Sequence, residues 1–172
     1  MNECYTQAQA LVRQRLVGLP ASFPVRAHVT MAGFAAGTRL SSVQELIADW
    51  VCGVPALLID VQRATSFPAP FQTGILQVRR TPALSAALQG LRSAAGQRGL
   101  MISTITPVER WVFHMSLAYC SKLPAAEWSD VARFLETLRV PPASSVQETV
   151  EIVAFDGGSE RSGGAHRLLP VA

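Results

Sequence analysis

Two quartets of one kind, His28-Val29-Thr30-Met31 and His114-Met115-Ser116-Leu117, stand 86 residues apart (114 − 28), and each sits in the same order of expected elements. Both halves read helix, histidine-bearing strand, helix, strand, strand, the pattern of an internal duplication. In the first half Ala8, Leu11, Val12 and Leu16 mark a helix over 5–17, halted at Gly18 and Pro20, and 25–34 is the strand that carries His28. Ser42 and Glu45 form a capping box for a helix over 42–52, and strands follow at 56–62 and 73–80. In the second half Thr81 and Pro82 open a helix that Gly96 and Gly99 close, and 110–120 alternates as the strand carrying His114. Pro124 starts a last helix that ends at Pro141-Pro142, and strands near 146–155 and 166–171 are joined by the Gly-rich turn DGGSERSGG. The expected fold is α+β: one domain, 1–172, of two similar lobes, approximately 1–80 and 81–172 with strands free to exchange, facing each other so that the two histidines meet in one cleft.

The period of a strand decides what each quartet presents. His28 and Thr30 share one face, as do His114 and Ser116, while Val29, Met31, Met115 and Leu117 turn toward the core. Each lobe then offers one imidazole and one hydroxyl. An imidazole with an ordinary pKa of about 6.5 can be either base or acid near neutral pH, and hydroxyls can donate to oxygens where charge develops. Two such pairs meet the needs of phosphodiester hydrolysis without a metal, and no Asp or Glu stands at helical spacing from a histidine to suggest one. Neither Ser116 nor any other serine lies in a GxSxG elbow, which removes the serine-hydrolase reading.

Composition narrows the partners. An apolar fraction of 49% against 16% charged residues describes a chain that packs throughout. The net charge of +3 suits an anionic ligand, but the basic residues are scattered and form no tract for duplex DNA. Cys4, Cys52 and Cys120 are odd in number and far apart, so reduced, buried thiols are expected and no cofactor is implied. With no leader pattern and no long apolar run, a cytoplasmic protein that does not engage membranes is expected.

The two quartets resemble those of the 2H phosphoesterase superfamily, which includes the bacterial 2′-5′ RNA ligase-like proteins and the plant and fungal cyclic phosphodiesterases. HVTMAGF and FHMSLAY look most like the cyclic phosphodiesterase branch. The resemblance implies a bilobal α+β fold with pseudo-twofold symmetry and a central cleft, in which His28 and His114 are the paired acid-base residues in either order and Thr30 and Ser116 hold the substrate phosphate. It implies hydrolysis of a cyclic phosphate, on a 2′,3′-cyclic nucleotide, an RNA end or ADP-ribose 1″,2″-cyclic phosphate, to a phosphomonoester. A 2′-5′ RNA ligase, an oligonucleotide phosphodiesterase or trimming exonuclease, or a non-catalytic RNA- or nucleotide-binding module would use the same fold. Many members open with a strand before the first helix; this chain starts almost in the helix, which leaves a sheet edge for upstream residues or a partner to cover.

Three further residues are candidate cleft contacts. Tyr119 follows the second motif as an aromatic does in the cyclic phosphodiesterase branch, but its odd spacing from His114 turns it away on an undistorted strand. Arg26 and Arg110 have the parity of their histidines and could reach a phosphate. His166 has no hydroxyl two residues on and reads as a surface histidine, and Gly157-Gly158 and Gly163-Gly164 read as hairpin loop. Trp50, Trp128, Trp111 and Phe113 are core candidates.

Overall fold

Helix α1 (Asn2–Arg15) forms where Cys4, Tyr5, Ala8 and Val12 recur on one face, and that face is buried. In the computed structural model, which describes residues 1–103, 106–156 and 159–170, three more helices follow: α2 (Leu40–Val51), α3 (Pro82–Gln97) and α4 (Ala125–Thr137). The strands are β1 (Leu57–Phe67), β2 (Thr73–Val78), β3 (His114–Tyr119), β4 (Ala143–Gln147), β5 (Thr149–Asp156) and β6 (Ser159–Arg167). They form a four-stranded sheet in the order β3-β2-β1-β4 and a β5-β6 hairpin. No helix among the described residues is long and apolar enough to cross a membrane.

The chain divides into two compact units, each drawn from three segments. The first comprises Met1–Thr30, Ile59–Arg79 and Val112–Ser145; the second comprises Met31–Leu58, Arg80–Trp111 and Val146–Ala172. Each has two helices and antiparallel strands, but neither coincides with residues 1–80 or 81–172, and both histidine motifs begin in the first.

In the first unit β2 pairs antiparallel with β1 and with β3. Val61, Ala64, Leu76, Val78 and Met115 are buried on one face. Leu135 of α4 packs there so closely that a Cβ on Gly74 would stand 3.0 Å from its Cδ1. Truncating the fully buried Leu135 would cost about 2–5 kcal/mol. In the second unit Trp50 on α2 is buried and donates its indole N–H to the Ala87 carbonyl of α3 at 3.1 Å. Thr81 caps α3, its Oγ1 accepting from Leu84 N at 3.1 Å, as Thr-Pro at a helix start requires.

Several expectations are corrected. Residues 25–34 are not a strand: only isolated bridges form at their borders, Ser22 with Tyr119 and Phe34 with Ile102. Pro24, Arg26, Ala27, Ala32 and Gly33 give the segment little tendency to pair, and it bends at Val25 and Arg26 and joins no ladder. Val29 and Met31 are accordingly only half-buried. Helix α2 is capped at Arg39 without a side-chain bond, and Ser42 lies inside its first turn. Strand β6 begins at Ser159, so Gly163 and Gly164 are strand residues. Gly163 is where α2 and the hairpin meet, because a Cβ there would stand 2.9 Å from Ile152 Cγ2 and 3.0 Å from Leu40 Cδ1. Gly157 and Gly158 lie outside the described residues. Cys4 and Cys120 are buried, but Cys52 is exposed.

Candidate functional site

The site face of the sheet follows from its register. Gln77 of β2 lies opposite Arg63 of β1 and His114 of β3; Ile75 lies opposite Thr65 and Ser116; Thr73 lies opposite Phe67 and Tyr119. Thr73, Ile75 and Gln77 alternate along an unbroken strand, so they and their partners share one face, opposite the α4-packed side. Strand β3 spends one extra residue between Ser116 and Ala118, a bulge that reverses the parity beyond it. Tyr119 therefore joins His114 and Ser116 on the site face, which the even-odd rule for an undistorted strand had denied it. Tyr119 is exposed there and Ser116 is buried.

The two histidines are held alike. His28 Nδ1 lies 3.1 Å from the carbonyl of Arg26, and His114 Nδ1 lies 2.7 Å from that of Val112, in each case two residues back. A carbonyl can only accept, so each Nδ1 carries its proton toward the backbone and each Nε2 is left to exchange one with a ligand. His28 is exposed and His114 half-buried. The Phe67 ring meets His114 edge-on, centroids 4.8 Å apart and planes at 89°. Burial pushes the His114 pKa below its ordinary value; the Val112 carbonyl opposes this, and the charge of His28 adds to the lowering. Both histidines belong to the first unit.

Helix α1 supplies the brace that brings the unladdered His28 segment to the sheet. Gln9 Nε2 lies 2.9 Å from Tyr5 Oη, 3.0 Å from the carbonyl of Pro24 and 3.3 Å from that of Leu117. Tyr5 Oη donates to the Ser116 carbonyl at 2.9 Å. Ser22 and Tyr119 exchange backbone hydrogen bonds of 3.0 and 2.8 Å. Residues 22–24 are therefore fixed to β3 four residues before His28. Burial first, then Tyr119, pushes the Tyr5 pKa up to about 12, so its phenol stays a donor.

Of the other expected contacts, Arg26 lends its carbonyl to His28 and is exposed. Arg110 does not sit on the His114 strand: it ends a 3-10 turn, Val108–Arg110, in the second unit, so parity says nothing of its direction. Thr30 is exposed at the end of the first unit's opening segment. His166 is a half-buried residue of β6 opposite Val150, in the second unit, whereas His28 and His114 are in the first. Trp111 is half-buried beneath Arg92, whose guanidinium carbon lies 5.3 Å from its ring centroid. Gln9, Arg63, Phe67 and Gln77 were not singled out from sequence. The run RATSF (63–67) on β1 gives no sign of which strand lies beside β3, so only the register reveals them. Among the described residues no three His, Cys, Asp or Glu side chains gather as a metal site would need.

The 2′-5′ RNA ligase superfamily model matches residues 6–159. Among solved structures, one of Escherichia coli LigT complexed with NADP+ superposes with a TM-score of 0.55 at 16% identity. The match covers 93% of this chain and 92% of that one, a likeness of fold. No curated protein sequence matches at a significant level.

Proposed function

Because the chain belongs to the 2′-5′ RNA ligase superfamily of 2H phosphoesterases, we propose that it is a cytoplasmic phosphodiesterase that opens a cyclic phosphate on a nucleotide, an RNA end or ADP-ribose. The observation that carries this reading is the matched pair of histidines, each with Nδ1 anchored to a carbonyl and Nε2 left for a ligand. His114, held toward the neutral form by burial and by the charge of His28, is the base that takes a proton from water at Nε2. The water oxygen bonds to phosphorus, the bond to one ribose oxygen breaks, and protonated His28 gives its Nε2 proton to that oxygen. One water is consumed and a phosphomonoester results.

Thr30 and Ser116 donate hydroxyl hydrogens to the non-bridging oxygens as charge builds on them. Tyr119, on the same sheet face as Ser116, offers a phenol to the substrate. The test is an assay of the purified protein in EDTA against 2′,3′-cyclic mononucleotides, ADP-ribose cyclic phosphate and 2′-5′ linked dinucleotides. Release of a phosphomonoester from a cyclic substrate is expected to continue in the chelator. Activity that is lost on chelation and returns with a divalent ion would overturn the two-histidine mechanism. Cleavage of the 2′-5′ dinucleotides alone would replace the cyclic substrate with a linear one.

A further inference from the structure

Across the site face, Arg63, Gln77 and His114 form one cross-strand row. Two strand spacings place the Arg63 and His114 backbones about 10 Å apart, and both side chains stand on the same side of the sheet. Arg63 Nε donates to Gln77 Oε1 at 3.0 Å, which fixes one edge of the guanidinium. Among the described residues no carboxylate pairs with Arg63, although Arg79, Arg98, Arg133 and Arg167 each have one. An arginine steered by a neutral amide keeps its full charge and its terminal N–H groups for an incoming anion.

We propose that Arg63 is a second anion subsite, so that the preferred substrate carries a further phosphate one ribose away from the phosphate opened at the histidines. The proposal rests on the cyclic phosphodiesterase reading and narrows its substrate. A 5′-phosphate on a mononucleotide and the next internucleotide phosphate of an RNA end present the same chemistry at this distance. Arg63 is thus a specificity-determining residue whose contact is made equally in the ground and transition states, and its effect belongs in KM.

The experiment compares wild type, Arg63→Ala and Arg63→Lys on three substrates. These are a nucleoside 2′,3′-cyclic phosphate with a free 5′-hydroxyl, the same compound with a 5′-phosphate, and a dinucleotide ending in a 2′,3′-cyclic phosphate. Arg63→Ala is expected to raise KM by about tenfold or more on the phosphate-bearing substrates, the loss of one charge-assisted contact. Its kcat, and its kinetics on the 5′-hydroxyl compound, should stay within about twofold of wild type. Arg63→Lys should recover part of the loss. The two phosphate-bearing arms separate the sources: loss on the dinucleotide alone identifies an RNA end, loss on the 5′-phosphate alone a mononucleotide. Equal losses on all three substrates, or none on any, would overturn the subsite. If wild type opens no cyclic phosphate, the catalytic reading fails by itself. The subsite is then read by calorimetric binding of adenosine 3′,5′-bisphosphate against adenosine 3′-monophosphate. A preference for the bisphosphate that Arg63→Ala abolishes supports it, and no preference overturns it.

Discussion

At His114 three neighbours act on one proton. Burial and the charge of His28 disfavour the imidazolium, and the Val112 carbonyl favours it, with a net lowering. A proposed base is competent only above its pKa, so with His114 in that role the acid limb of kcat/KM is expected below pH 6.5, the ordinary histidine value. Phe67 supplies part of that burial through its edge-on contact. Phe67→Ala should therefore let water reach the ring and move the acid limb upward toward 6.5, whereas a purely structural loss would lower kcat without shifting the limb. The same shift acts on stability. The native state binds this proton less readily than the unfolded chain, so the contribution of His114 is fully present above 6.5 and is lost as pH falls through the lowered native pKa. His28→Ala and His114→Ala should each cost on the order of 10²- to 10⁴-fold in kcat, with the double variant far from additive. Thr30→Ala and Ser116→Ala should cost less and leave the pH profile in place. Near-full activity of His28→Ala on a substrate that His114→Ala abolishes would end the paired acid-base account.

Among the elements, the least legible in sequence was the one that carries His28. VRAHVTMAGF has the alternation of a strand, yet the segment makes no ladder, and the Ser22–Tyr119 bridge with the Gln9 side chain of α1 holds the chain just before it. Periodicity reports which face a residue prefers, but it cannot report whether a neighbouring strand has a free edge to accept it. The second quartet was legible because β3 is a true ladder strand, with Phe113, Met115 and Leu117 buried as their spacing required. What parity missed there was the bulge that returns Tyr119 to the His114 face, a feature set by pairing with Gly74 and Ile75. The helices were read from capping and apolar spacing to within a turn, and α3 kept its Thr81 cap. Because Gln9 joins Pro24 and Leu117 through one amide, Gln9→Ala should leave the His28 segment held to β3 by the Ser22–Tyr119 backbone bonds without their side-chain brace. A stability loss of about 1–2 kcal/mol is expected by denaturant titration, together with a fall in kcat that Tyr5→Phe reproduces in part. Loss of stability in Gln9→Ala with kcat unchanged would show that the segment finds its place without the brace.

For the molecule as a whole, charge separates a small-substrate enzyme from a nucleic-acid-binding module of the same fold. A net charge of +3 spread over scattered arginines raises the local concentration of a small anion but gives no continuous track for a long backbone. The site face carries Arg63 in the same cross-strand row as His114, and among the described residues no carboxylate pairs with it. A ligand that meets the protein through two phosphates at most should release few counterions. Between about 50 and 200 mM salt, KM for a cyclic mononucleotide is therefore expected to rise by less than about tenfold, while a protein neutralising many phosphates loses about 10³- to 10⁵-fold over that range. The measurement is a salt series of kcat and KM on the mononucleotide, run beside equilibrium binding of a 20-nucleotide single-stranded RNA lacking a cyclic end. Binding of that RNA should be weak at every salt concentration, and kcat should hold steady, since screening acts on encounter and not on the proton transfers. A steep salt slope with tight RNA binding would mean that the surface contacts many phosphates at once, and the binding-module reading would then take precedence over the enzyme.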